Sequence, residues 1–280
     1  MLLIIVLIII TLSLPIVQTY IAKKVTTKLN ENFDTNINIS RLGLNWKGEV
    51  DIKEIYIEDH HNDTLIYVKS LNTNILSVKN IVKGDLNFGF IELNKAKFYL
   101  KTYKGEEHNN ITIFADKFKS DAPKNGNVLE LKATNIKFSG SNVKITDENL
   151  EKSTIFNLSN ITIGSENLSI VGPNVKTDIK QLSLVSQRGF EIKNLTGNFS
   201  YSLSSIALKK LKLITDDSRI NGDIIMNYKE GELSDFANKV NLDVHFNEAK
   251  FSTNDLNTFY NEFGINQHIL IDEDLDSLYL

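Results

Sequence analysis

The 280-residue sequence contains no cysteine, which excludes disulfide frameworks, thiolate metal sites, cysteine nucleophiles and lipid-modified cysteine anchors. Its 3 prolines are too few for a proline-rich stalk or linker. It has no surplus of positive charge. The 31 Lys plus Arg stand against 35 Asp plus Glu, a net charge of -4, which argues against a protein that tracks nucleic-acid backbones. Glycine-rich phosphate loops are missing as well. Hydrophobic residues make up 41% of the chain, enough for a sizeable core and against wholesale disorder.

One long hydrophobic run is present. From Met1 to Ala22 no side chain is charged, and Leu2 to Ile10 is unbroken aliphatic sequence. At about 1.5 Å per residue this makes a helix of roughly 33 Å, against ~30 Å of bilayer hydrocarbon. Residues 1–22 therefore read as a transmembrane anchor carried by Leu2, Ile5, Ile9, Leu12, Pro15, Val17 and Tyr20, with a proline kink near Thr11 to Leu14. A cleaved signal peptide fits less well, because no basic region precedes the run and Tyr20-Ile21-Ala22 is a poor cleavage site. Lys23, Lys24 and Lys28 follow the run and none precedes it, so the positive-inside rule alone would keep the remainder cytoplasmic. A first residue placed directly in the hydrophobic core also reads as a truncated or misplaced start.

After the anchor, Ile21, Val25, Leu29 and Phe33 recur every four residues and predict an amphipathic stem helix over residues 23–34. It would cap a β-core or lie in the headgroup layer. Over residues 35–280 the hydrophobic period drops to two, as in Ile37/Ile39, Val50/Ile52, Ile55/Ile57, Leu182/Leu184, Ile206/Leu208, Leu211/Leu213 and Val240/Leu242/Val244/Phe246. Short polar breaks such as Lys47-Gly48-Glu49 and Asp216-Asp217-Ser218 predict mostly antiparallel neighbours joined by tight turns. Short helices are expected at Val78–Val82, Ile111–Phe118, Leu233–Asn238 and Asn254–Phe263.

The fold class is thus mainly β: an N-terminal transmembrane helix, then an antiparallel meander of roughly fourteen strands, near 65 Å long at about 4.8 Å per strand. With few helices to cover its apolar face, the sheet must fold on itself, pack on a second sheet, or keep a curved trough for another molecule. Leu44, Trp46, Ile55, Ile57, Leu93 and Phe98 are the expected lining of such a groove.

Asp59-His60-His61-Asn62-Asp63 is the one stretch with a catalytic look. Its first three residues match the metal-binding motif of the DHH phosphoesterases. No buried parallel strand leads into it and no α/β alternation surrounds it, so a polar hairpin turn accounts for it better. His108, His245 and His268 stand alone, and Asp272-Glu273-Asp274 with Asp276 lacks the spaced donors of a calcium loop. No catalytic, cofactor or metal site is expected, and the chain does not read as an enzyme.

Several segments carry a family resemblance. Leu14-Pro15-x-Val17-Gln18-Thr19-x-Ile21-Ala22, Asn36-Ile37-x-Ile39-x-Arg41-Leu42, Ile57-x-Asp59-His60-His61-x-Asp63-Thr64-Leu65 and Leu71-x-Thr73-x-Ile75-Leu76 resemble the start of the TamB family. These are translocation and assembly module subunits of Gram-negative bacteria, within the wider AsmA-like group. Lys101-Thr102-Tyr103-Lys104-Gly105-Glu106 and Phe259-Tyr260-Asn261-Glu262-Phe263-Gly264 fit the same likeness. It implies a single-pass inner-membrane anchor and a periplasmic repeating β-groove. Such proteins carry phospholipid acyl chains towards the outer membrane, assist outer-membrane protein assembly and secretion, and need no cofactor. Their partner is an outer-membrane barrel of the TamA type, met through a C-terminal region outside this chain. The alternative is a non-conducting scaffold protein of the cell envelope.

Overall fold

The computed structural model describes residues 15–44, 49–75, 85–118, 130–150, 154–230, 232, 239–255, 257–258 and 277–279. Of the expected anchor positions, Leu2, Ile5, Ile9 and Leu12 lie outside this set, while Pro15, Val17 and Tyr20 fall in helix α1 (Pro15–Phe33). This helix runs unbroken through residues 22 and 23, where anchor was expected to give way to stem. No helix among the described residues is long and apolar enough to cross a membrane. Among the described side chains of α1, Gln18, Ala22, Thr26 and Phe33 are buried; of the expected stripe, Phe33 is thus buried, Leu29 is half-buried, and the side chains of Ile21 and Val25 lie outside the described set.

Asp34 ends the helix in a left-handed conformation with φ 52°. Asn30 then fixes the exit of the chain, accepting the Ile37 amide at 2.8 Å and the Thr35 hydroxyl at 3.0 Å while its own amide donates to the Ile37 carbonyl at 3.1 Å.

All strands join one 13-stranded sheet whose order follows the sequence. Strands β1 (Asn36–Leu44), β2 (Glu49–Glu58), β3 (Thr64–Ile75) and β4 (Asp85–Thr102) form an antiparallel meander. After β4 comes helix α2 (Asn110–Asp116), close to the expected helix at 111–118 and N-capped by Asn109, whose side chain accepts from the Thr112 amide. The chain then crosses over, so β5 (Glu130–Asp147) lies parallel to β4, a departure from the hairpin pattern.

Antiparallel pairing resumes with β6 (Thr154–Val171) and β7 (Asn174–Ser186). The two-residue β8 (Glu191–Ile192) adds to the end of β7, and β9 (Asn194–Ser202), β10 (Ser205–Ile214), β11 (Arg219–Asn227), β12 (Asn241–Ser252) and β13 (Ser277–Tyr279) complete the order. The expected helices at 78–82 and 233–238 lie outside the described residues. That at 254–263 is described only as helical turns at 253–255 and 257–258.

The long strands are bent, and the bends line up. Glu54 in β2, Lys95 in β4, Asn160 in β6 and Lys210 in β10 have φ of 51°, 51°, 52° and 52°, and Gly140 in β5 has 59°. A left-handed L-residue costs about 1–2 kcal/mol, so its recurrence on neighbouring strands marks a corner imposed by the sheet. Asn94 pairs with Ser139 and Lys97 with Asn142, which sets Lys95 beside Gly140. At each corner the inward side chains skip three residues instead of two. Ile52 and Ile55, Val68 and Leu71, and Leu93 and Ala96 therefore all reach one apolar cluster.

The bend closes towards the apolar face. The residue after each of these five positions is buried: Ile55, Ala96, Ser141, Ile161 and Leu211 are 9%, 0%, 1%, 5% and 3% exposed. Residues further along both arms, including Ile52, Ile57, Ile66, Leu71, Leu93 and Phe98, are only half-buried. In β12 the rings of Phe246 and Phe251 stand 5.6 Å apart. A straight strand would separate their Cα atoms by about 16 Å.

A valine at position 95 tests the corner. Strand propensity favours valine over lysine, but a β-branched residue is strained at positive φ. Lys95→Val is expected to lose about 1–3 kcal/mol in urea unfolding while Lys95→Gly is tolerated. A valine variant as stable as the parent would show that the corner is not held at this residue.

Candidate functional site

Two features stand out, the apolar inner face and a polar cluster at one end of the strands. The inner face starts at Ile37 and Ile39 of β1. It continues through Ile55 and Ile57, Ile66 and Val68, and Leu93, Ala96 and Phe98 to Ile91, Ala133, Ile136 and Phe138. Phe98 stacks on Phe138 across the parallel seam with centroids 6.4 Å apart. Cross-strand pairs carry the face onward: Ile163 opposes Leu182, Val175 opposes Tyr201, and Ile206 and Leu208 oppose Met226 and Ile224. No second sheet covers it among the described residues.

Of the expected lining residues, Ile55 sits on the floor of the bend, and Ile57, Leu93 and Phe98 stand on its arms. Leu44 closes β1 opposite Val50, and Trp46 lies outside the described residues.

The polar cluster forms where the β2–β3 turn (59–63) meets the end of β4. Asp59, 7% exposed, accepts on one oxygen the amides of His61 at 2.9 Å and Asp63 at 3.0 Å. Its other oxygen accepts the Tyr103 hydroxyl at 2.7 Å and the Asn110 side-chain amide at 2.8 Å. Burial opposes ionisation of this carboxyl, but the bonds from Asn110, Tyr103, His61 and Asp63 outweigh it and hold its pKa below the ordinary value. Tyr103 is pushed far up by burial and by Asp59 and Asp63, so its hydroxyl stays a donor.

Asp59 thereby ties a hairpin turn to the first residue of α2, whose Asn110 also accepts the Lys101 amide at 2.9 Å. Neighbouring Lys101 bonds Glu148 at 2.8 Å, which holds the glutamate carboxyl low and raises the lysine. The motif is therefore the hairpin turn expected from its flanking strands. The roles of Tyr103 and Asn110 were not legible, because they lie 40 or more residues from Asp59 and Asp63 in sequence and carry no spacing signal.

The outer face beside this turn holds a concavity of about 730 Å³ lined by Tyr56, Tyr67, Lys97, Tyr99 and Lys144 among others. No arrangement of nucleophile, base and oxyanion donors occurs there among the described residues. No protein-family model matches the chain, and no curated protein matches it.

Proposed function

We propose that the chain is a non-catalytic, inner-membrane-anchored envelope protein whose bent sheet holds phospholipid acyl chains and conducts them towards the outer membrane. The observation that carries this reading is the half-exposed apolar face, continuous across the antiparallel and parallel ladders of one bent sheet. Water satisfies such a face poorly, and each methylene buried against it gains about 0.8 kcal/mol. Twelve strands lie on the path through the sheet, and their eleven spacings at about 4.8 Å give a face about 53 Å long. That is long enough for several acyl chains side by side.

Polar residues lie on the opposite face, so headgroups would stay at the rim while acyl chains slide along the floor. No bond need be made or broken. Transmembrane placement of Leu2 to Tyr20 and a periplasmic sheet belong to the same proposal. They rest on the uncharged run from Met1 to Ala22 and on the TamB-like segments. The TamA-type partner and any role in protein assembly rest on the likeness alone.

Mass spectrometry of the full chain, purified in a detergent that exchanges annular lipid, is expected to find phospholipid bound above the level of a single-span control protein. Control-level lipid would favour the scaffold reading, in which the face packs against protein.

A further inference from the structure

The two histidines of the β2–β3 turn have a geometry that lipid conduction does not use. His60 Nε2 lies 3.0 Å from Glu106 Oε2, and His61 Nε2 lies 2.6 Å from Glu106 Oε1. All three donor atoms fall within 4.8 Å of one another. Adjacent histidines on a flat strand point to opposite faces; here the turn brings both imidazoles onto one carboxylate 45 residues away.

Both sides of the cluster are held. Asp59 fixes the His61 and Asp63 amides, and the Tyr103 ring lies 3.8 Å from the His61 ring and edge-on to His60 at 5.5 Å. Asn149 donates to the Glu106 carbonyl at 3.0 Å and accepts the Gly105 amide at 2.8 Å, while the Glu106 amide donates to the Tyr103 carbonyl at 3.0 Å. The donor atoms thus sit on a backbone braced from two sides. The His60, His61 and Glu106 side chains are 24%, 46% and 28% exposed, which leaves an ion a way in.

We propose that His60, His61 and Glu106 bind one divalent transition-metal ion of the zinc class, and that the ion clamps the β2–β3 turn to the loop between β4 and α2. Two imidazoles and a carboxylate are borderline donors suited to zinc, with the fourth tetrahedral position left to water. Bond lengths near 2.1 Å in a tetrahedral site separate donor atoms by about 3.4 Å. To reach it, the present histidine-to-carboxylate spacings of 3.0 Å at His60 and 2.6 Å at His61 need to open by about 0.4 and 0.8 Å, a movement that rotation of the exposed side chains supplies. The site is independent of the lipid reading and stands or falls without it.

The test is calorimetric titration of the full chain in detergent micelles with zinc chloride, together with melting temperatures with and without the metal. The parent is expected to bind a single equivalent and to melt higher with zinc. Glu106→Gln and His60→Ala should each weaken binding about tenfold or more, and His108→Ala, at an exposed histidine outside the cluster, should leave it unchanged. Circular dichroism checks that each variant is folded.

Cobalt(II) substitution gives a second readout, since a tetrahedral site produces intense visible bands that the His60→Ala/His61→Ala double variant should lose. Absence of zinc binding by the parent would overturn the proposal, as would binding that survives in the folded double variant. A zinc-insensitive melting temperature despite binding would overturn the clamp.

Discussion

Phe98→Asp is expected to leave the sheet folded and to abolish lipid transfer, whereas Ala96→Asp, two residues earlier on the same strand, is expected to unfold it. Ala96 is 0% exposed on the floor of the bend. A carboxylate there meets Ile55 and Val68 and no partner, which costs several kcal/mol against a total stability of about 5–15 kcal/mol. Phe98 stands on an arm and is half-buried. Its loss removes the stack on Phe138 and puts a charge where acyl chains would run, at about 1–3 kcal/mol.

Thermal melts followed by circular dichroism separate the two variants on stability. Transfer of a fluorescent phospholipid between vesicles separates Phe98→Asp from Lys97→Asp, which changes an exposed outward residue and should transfer normally. Normal transfer by folded Phe98→Asp would remove this stretch from the lipid path. Unfolding of Phe98→Asp would mean that the arm is packed core.

Asp59→Ala is expected to cost about 2–4 kcal/mol, because it leaves two turn amides without their side-chain acceptor and removes one of two acceptors from the Tyr103 hydroxyl, which keeps Asp63, and from the Asn110 amide, which keeps the Tyr99 carbonyl. A pH dependence follows with a definite sign. The folded-state pKa of Asp59 is lowered. Its contribution is complete above the unfolded-state value and is lost as pH falls through the folded-state one. Stability should therefore drop on acidification below about pH 4. Glu106, Glu148 and Asp178 are also held low and pull the same way. Urea unfolding at neutral pH and at about pH 3 should show a shallower acid loss for the isosteric Asp59→Asn than for the parent. Equal acid losses would mean that this carboxylate is not a main source of the slope.

The strand content was readable because half-buried strands alternate, and the order of the hairpins was readable from their polar breaks. The corners were harder. Steps of three such as Ile52 to Ile55 and Leu208 to Leu211 look like the end of one strand and the start of another. In the fold they are phase slips inside single strands, caused by Glu54 and Lys210 at positive φ.

The parallel seam had no local signal at all. Ile91 and Leu93 alternate in the same way whether their neighbour Ile136 runs with them or against them. The convergence of His60 and His61 on Glu106 was hidden for a related reason. The meander brings the β2–β3 turn beside the end of β4, but the convergence depends on how the loop after Thr102 folds back over that turn, and strand periodicity carries no signal for the path of a loop.

The strand order has a bearing on how such a chain matures. From β1 to β13 each main strand attaches to the edge left by its predecessor. A polypeptide delivered N-terminus first can therefore build this sheet as it emerges, each new strand templated by the last. Sequence-distant pairing, the slow step for many β-proteins, is greatest at the parallel seam, where partners such as Asp85 and Glu130 or Thr102 and Asp147 lie 45 residues apart along the whole ladder. At the β4–β5 seam the growing edge must wait for α2 and the crossover after it before β5 can lie down in parallel. A pause in vectorial folding is expected there, once Thr102 at the end of β4 has emerged, with a half-built edge exposed to chaperones and proteases.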